Sequence, residues 1–297
     1  IDALCVGQAW GDEVFEALRA ANYSGIVESL PRSSLQVAIN ALVEWRGRFA
    51  AHSDKLLLAD SAASFLEAQR SGRTAVLMNF QNTTMFEGKV ENIDALYGLG
   101  MRSAQLTYNF RNRVGDGCLE RTNAGLSDFG LEVVTRMNEL GVLVDLSHCG
   151  DQTTVDGIEF SQKPVAITHT MCDALRSHPR AKTDAQIRAC ADKGGVIGMI
   201  ALGYFVGPDP GGDRVGHLVA VGVRPHPGAR VDAEVAVGVD EPRRHVGALC
   251  VHDRLAVGRL GCVALAEVGD APVLQPDPAP FERLAGGGHD RRVTDQD

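Results

Sequence analysis

The stretch Val142-Leu-Val-Asp-Leu-Ser-His148 constrains this chain more than any other. It follows Gly141, is mostly apolar and ends in a histidine, which reads as a buried strand whose last residue points into a site. After a polar, helix-length segment at 150–162, Pro164-Val-Ala-Ile-Thr-His169 repeats the pattern. Two such runs separated by a helix are neighbouring parallel strands. In an α/β barrel the rim at their carboxyl ends holds the site. Imidazole is the commonest metal ligand, so His148 and His169 are the first candidates for a metal site. Either histidine alone reads more readily as a hydrogen-bonded loop residue; the repeat shifts the balance. His52, His178, His217, His226, His245, His252 and His289 lack that context and read as structural or solvent-facing.

The rest of the first 206 residues alternates in the same way. Strands are expected at 1–6, 24–27, 56–59, 74–80, 103–108 and 196–202. Helices are expected at 13–21, 34–51, 62–71, 91–99, 128–140 and 183–193. Val37, Ile39, Leu42, Val43 and Trp45 fall on or near one stripe of the second helix. Ser61 and Ser127 are expected caps, Gly72 and Gly100 are expected stops, and Thr183-Asp-Ala-Gln186 matches a capping box. About seven strand–helix alternations call for a parallel sheet or barrel. No G-x-G-x-x-G follows the first strand, which disfavours a dinucleotide fold. Residues 109–127 are a long polar stretch of little periodicity, expected to be a functional loop at the same rim.

Composition narrows the function. The 297 residues are 44% hydrophobic with a net charge of −9, a globular balance that argues against nucleic acid as partner. No apolar run approaches the roughly 18 residues of a membrane span. Seven cysteines without a C-x-x-C pair suggest reduced thiols and a cytoplasmic protein. Cys149 and Cys172, beside the histidines, read first as small buried thiols. The chain begins at Ile1 with neither Met nor a signal-peptide pattern, so a natural start is expected to be missing. From 207 to 297 there is no Lys, Asn, Ser, Ile, Tyr, Trp or Met. We divide the chain into a barrel domain at 1–206 and an atypical segment at 207–297. The segment reads either as a shifted reading frame or as an Arg-rich natural extension. It is expected to pack poorly and to leave the barrel incomplete at the C-terminus, with Val231–Val239 as its one tolerable strand.

Residues 75–206 resemble the membrane dipeptidase (renal dipeptidase) family, peptidase family M19, of the amidohydrolase superfamily. The resemblance rests on Gly125-Leu-Ser-Asp-Phe-Gly130, Met137 through His148, Pro164 through His169, His178-Pro-Arg180 and Gly194-Gly-Val-Ile-Gly198, in that order. It implies a (β/α)8 TIM-type barrel of the metal-dependent hydrolase kind, zinc as cofactor (two ions with a bridging carboxylate) and a small dipeptide-like substrate. It leaves room for a homodimer. By position it gives His148 and His169 to a metal, and Arg180 to the substrate carboxylate.

Three positions depart from the family. Gln81, in Asn79-Phe-Gln-Asn82, stands where the family has its bridging glutamate; its amide can offer one oxygen to a metal but no charge. The first strand, Asp2-Ala-Leu-Cys-Val-Gly-Gln8, lacks the family's His-x-Asp. Tyr108 replaces a histidine that contacts substrate. Asp240 is a weak match for the family's last acidic residue. The expected function is zinc-dependent hydrolysis of dipeptides or related small amides by a metal-activated water, with no catalytic residue assigned. The alternative is a non-catalytic barrel of the same family that has lost metal ligands and binds a small ligand or partner.

Overall fold

Parallel strands joined by helices gather into one barrel-like sheet. In the computed structural model of the protein, residues 1–7, 10–200 and, for the backbone, 220–222 are described. The strands are β1 (Asp2–Cys5), β2 (Gly25–Ser29), β3 (Leu56–Leu58), β4 (Thr74–Phe80), β5 (Met101–Gln105), β6 (Leu143–Asp145), β7 (Ala166–Thr170), β8 (Val196–Met199) and β9 (Ala220–Gly222). The order is β1-β2-β4-β5-β6-β7-β8-β9, parallel until β9, which runs antiparallel to β8. The short β3 sits off this path on β4. It pairs with the first half of β4 (Leu56 with Thr74, Leu58 with Val76), and β5 pairs with the second half (Asn79 with Ser103). This is a TIM-type barrel, nearly closed. Among the described residues, the far edge of β8 is occupied by β9 and not by β1.

The helices are α1 (Asp12–Ala20), α2 (Leu35–Ala51), α3 (Ala62–Ser71), α4 (Glu91–Leu99), α5 (Asp128–Leu140), α6 (Asp151–Phe160) and α7 (Asp184–Asp192). Their apolar stripes close over the sheet. Leu42 and Trp45 of α2, Ile93 and Leu96 of α4, and Val133, Val134 and Met137 of α5 join Val76, Met78, Phe80 and Val144 in one core. A strand buried on both faces must be apolar almost throughout, and β4 (Thr-Ala-Val-Leu-Met-Asn-Phe) is. Capping behaves largely as the sequence suggests. The Ser127 hydroxyl accepts from the Gly130 amide, and Thr183 and Gln186 form the complete capping box.

Four local expectations change. Val43 lies off the buried stripe of α2 and is 54% exposed. Ser61 opens α3 without capping it; its hydroxyl meets Ser64 Oγ at 3.2 Å. β5 begins at Met101 and ends at Gln105, not at Tyr108. β6 stops at Asp145, so His148 stands in the turn beyond the strand and not at its end. The cause is the Asp145 carboxylate, which accepts from the Ser147 amide at 3.0 Å and bends the chain. Val231–Val239, Asp240 and nearly all of 207–297 lie outside the described residues.

The β7–β8 contact has no room for a side chain at Gly198. A Cβ there would come 2.0 Å from the Thr168 carbonyl oxygen, beside His169. Gly47, on the exposed face of α2, would meet nothing within 4 Å. Urea unfolding is therefore expected to show Gly198→Ala destabilising by about 1–3 kcal/mol. Gly47→Ala should stabilise by about 0.5–1 kcal/mol. Equal effects of the two would contradict the close packing of β7 on β8.

Candidate metal and substrate site

The site forms where β2, β4, β6 and β7 end. His148 Nε2 and His169 Nε2 lie 2.9 Å apart, and the rings are 4.9 Å between centroids. Both side chains are buried. Each ring is oriented through its other nitrogen. The Ser147 and Thr168 hydroxyls donate to Asp145, at 2.6 and 2.7 Å. Thr168 Oγ1 is then left to accept from His169 Nδ1 at 2.8 Å, so this network places the His169 hydrogen on Nδ1. His148 Nδ1 lies 2.7 Å from Asn109 Oδ1, an acceptor, which places its hydrogen on Nδ1 as well.

Two Nε2 lone pairs therefore face each other across 2.9 Å, an arrangement that calls for a cation between them. Zinc–nitrogen bonds of about 2.0–2.1 Å in tetrahedral geometry hold two nitrogens roughly 3.3 Å apart, a few tenths of an ångström wider. Burial, followed by the positive charge of Arg180, pushes both imidazoles well below their usual pKa. They stay neutral, as metal ligands must.

Gln81 is the third group at this point. Its Nε2 lies 3.1 Å from His169 Nε2, and its Oε1 accepts from Ser29 Oγ at 2.9 Å. Turning the amide over keeps the serine contact, because the hydroxyl can donate or accept, but it exchanges the N–H that meets His169 Nε2 for an oxygen, which only a cation between them would favour. The turned amide presents its oxygen to the histidines. Two imidazoles and an amide oxygen make three neutral donors, the number usual for a catalytic metal. They fit one divalent ion. They do not fit two ions sharing a carboxylate, since among the described residues no three His, Cys, Asp or Glu side chains converge.

The Tyr108 ring stacks on His148, 4.1 Å between centroids, and the Arg32 guanidinium covers Tyr108 at 4.5 Å. Arg180 is buried, donating to the Ser147 carbonyl and, at 2.9 Å, to the His169 carbonyl. It thus braces the turn that carries His148 against the strand that carries His169. The 109–127 loop reaches the same rim: Asn109 holds His148, and the Cys118 amide donates to the His148 carbonyl at 2.9 Å. Gly117 permits this, because a Cβ would stand 2.3 Å from the Asn109 backbone.

Sequence reasoning passed over Asp145, Ser147, Thr168, Asn109 and Lys182. The signal for the first two was inside the opening motif itself, since a polar Asp-x-Ser interrupts an apolar run. Lys182 left none. It is fully buried and donates to the Cys149 carbonyl at 2.8 Å and Thr154 Oγ1 at 2.7 Å.

A parallel barrel whose imidazoles and polar side chains gather at the strands' carboxyl ends has the architecture of the TIM-type barrel enzymes. The sequence profile of Membrane dipeptidase (Peptidase family M19) matches residues 19–239, and the chain belongs to that family. It is similar to a dipeptidase of Clonostachys rogersoniana, 31% identical over 173 residues, which are 57% of this chain and 43% of that one. Among solved structures it is similar to an amidohydrolase from Pseudomonas aeruginosa, with 33% identity and a TM-score of 0.66, covering 69% of this chain and 62% of that one. The dipeptidase AC, a metallopeptidase of family M19, shares the fold at 20% identity and a TM-score of 0.58, covering 64% and 63%. The chain therefore spans between two-fifths and two-thirds of the length of these relatives. Among the described residues, no helix is long and apolar enough to cross a membrane.

Burial lowers the Lys182 ammonium to about 8. A base lowered on folding binds fewer protons in the folded chain than in the unfolded one, so stability rises with pH between about 8 and the unfolded value near 10.4. The expected contribution approaches about 1.4 kcal/mol per pH unit in that window. Urea titrations from pH 7 to 10.5 should show this slope in the native chain and lose it in Lys182→Met. A Lys182→Met slope equal to the native one would place the ammonium in water.

Proposed function

We propose that the chain is a metal-dependent hydrolase of dipeptides or related small amides, built around one zinc ion held by His148, His169 and Gln81. The observation that carries this reading is the approach of His148 Nε2 and His169 Nε2 to 2.9 Å, with an acceptor oxygen beside the Nδ1 of each ring. Zinc in such a site supplies an acidified water and polarises a carbonyl. The chain's own side chains do the rest. Asp145, through Thr168, and Asn109 keep the imidazoles in the ligand tautomer. Tyr108 packs on His148 and offers a phenol hydroxyl to the substrate. Arg180, Lys182 and Arg32 give this end of the barrel a positive field suited to a substrate with a free carboxylate. Arg180 remains our candidate for that carboxylate, which would share the guanidinium with the two main-chain carbonyls it already holds.

Family membership and the dipeptidase among the relatives support this substrate class. Five described cysteines, all free, support a reducing compartment, and we place the protein in the cytoplasm. The lack of a carboxylate among the converging donors favours a second reading, a non-catalytic barrel that binds a small ligand at the same rim.

Metal analysis after zinc reconstitution separates the two. About one zinc per chain is expected, with release of D-Ala from L-Ala-D-Ala, and His148→Ala and His169→Ala should each weaken zinc binding at least about tenfold. Gln81→Glu adds the missing charge and should bind zinc more tightly than the native chain, with a second ion at saturation. A native chain that retains no zinc would establish the non-catalytic reading.

A further inference from the structure

Glu28 lies at the carboxyl end of β2 and is 2% exposed. One carboxylate oxygen, Oε1, accepts from the Trp10 indole N–H at 2.8 Å. The other, Oε2, is buried and, among the described residues, has no hydrogen-bond partner. A buried acceptor left unmade costs the full desolvation of that atom, so it needs a partner from elsewhere. Glu28 forms part of the wall of a cleft of about 350 Å³, together with Trp10, Ser29, Arg32, Trp45 and Gln81. The Trp10 and Trp45 rings meet edge to face at 5.3 Å. Trp45 already carries one cation, the Arg48 guanidinium at 5.0 Å, which Glu44 holds at 2.6 Å.

We propose that Glu28, with the indoles of Trp10 and Trp45, forms a subsite for a primary ammonium group. Any donor could satisfy Oε2, but this surrounding selects a charged one. A carboxylate away from water gains most from a cationic donor, and indole faces attract cations. Burial holds the empty carboxyl up at about 8, and an arriving ammonium supplies the counter-charge that ionises it. The cleft is shared with one of the proposed metal ligands, Gln81. Ser29, the next residue after Glu28, donates to Gln81, and Gln81 touches His169. Applied to catalysis, the inference rests on the hydrolase reading. It then defines the substrates as dipeptides with a free amino group, anchored at Glu28 while the amide reaches the histidines.

The full chain would be titrated with n-propylammonium chloride, using propanol as the uncharged control, and followed by tryptophan fluorescence and calorimetry. Saturable binding of the ammonium but not of propanol is expected. Glu28→Gln, close to isosteric, should weaken it at least about tenfold, the size of one charge-assisted hydrogen bond. Equal affinity in Glu28→Gln, or equal responses to the ammonium and propanol in the native chain, would overturn the subsite. The propanol comparison holds even if the variant fails to fold. Kinetics provide the second arm: N-acetylation of Ala-Ala should raise KM at least about tenfold in the native chain and leave it nearly unchanged in Glu28→Gln. Ammonium binding that depends on Glu28, with no dipeptide hydrolysed, would sustain the subsite and remove the hydrolase reading. Hydrolysis without ammonium binding would do the reverse.

Discussion

A single buried carboxylate, that of Asp145, holds the two histidine-bearing strand ends in place. It ends β6, and its four donors come from the turn after β6 and from β7: the Ser147 amide and hydroxyl, and the Thr168 amide and hydroxyl. Hydrogen bonds to a charged group contribute about 1.5–3 kcal/mol each, so together they outweigh much of the cost of burying the carboxylate. Their arrangement also has a direction. Because both hydroxyls are spent on Asp145, Thr168 can only accept from His169, and the imidazole's free nitrogen is turned toward the rim. Burial pushes the Asp145 carboxyl up even against the opposing pull of these four donors, so losing any of them would favour its protonation further.

The other side of the site depends on the 109–127 loop, which has its own buried carboxylate. Asp116 accepts from both sides of the Arg111 guanidinium, from Thr122 and from the Ala124 amide, and the first of these partners holds it well below the usual carboxylate range. The Thr153 hydroxyl of α6 donates to the Asp116 carbonyl at 2.8 Å, which ties the loop to the helix that follows His148. A long loop made rigid in this way can position Asn109 against an imidazole, a task for which a mobile one would be too imprecise. The two halves of the site are therefore supported independently. Asp145 orients His169 and Asp116 underpins the partner of His148.

Elements whose pattern is long and periodic were legible in the sequence. β4 and α4 fall at their expected bounds, and the caps at Ser127 and Thr183 form because a hydroxyl before a helix has one obvious use. The meeting of His148 and His169 followed from their repeat on adjacent strands, and the loop's approach to the rim followed from its place after a strand. What could not be read depends on long-range pairing. Ser61 looks the same as Ser127 in sequence, yet Asp60 and Ser64 compete for its surroundings, with Ser64 Oγ donating to Asp60. Val43 sits within the apolar stripe by spacing, but α2 turns it outward. Glu28 in a run of Gly-Ile-Val-Glu-Ser resembles any strand residue until Trp10 comes to stand beside it.

Charge explains why this variant of the rim holds together without the family's bridging glutamate. A carboxylate at position 81 would sit beside His169 and face the charge of Arg180 and Lys182, raising the imidazoles' affinity for protons as well as for metal. With a neutral amide there, burial first and these two cations second keep both imidazoles deprotonated. On the proposed reading the cost would fall on the metal, which would meet three neutral donors and two nearby positive charges. Its affinity would then be lower and its acidifying effect on water greater than in a carboxylate-rich centre, since less of its charge is neutralised. The nearest compensation is indirect: Asp145 is joined to the ligand set through Thr168 and the His169 ring. The carboxylate that shapes the turn after β6 is thus also the anion that, through the Thr168 hydroxyl, reaches the His169 ring.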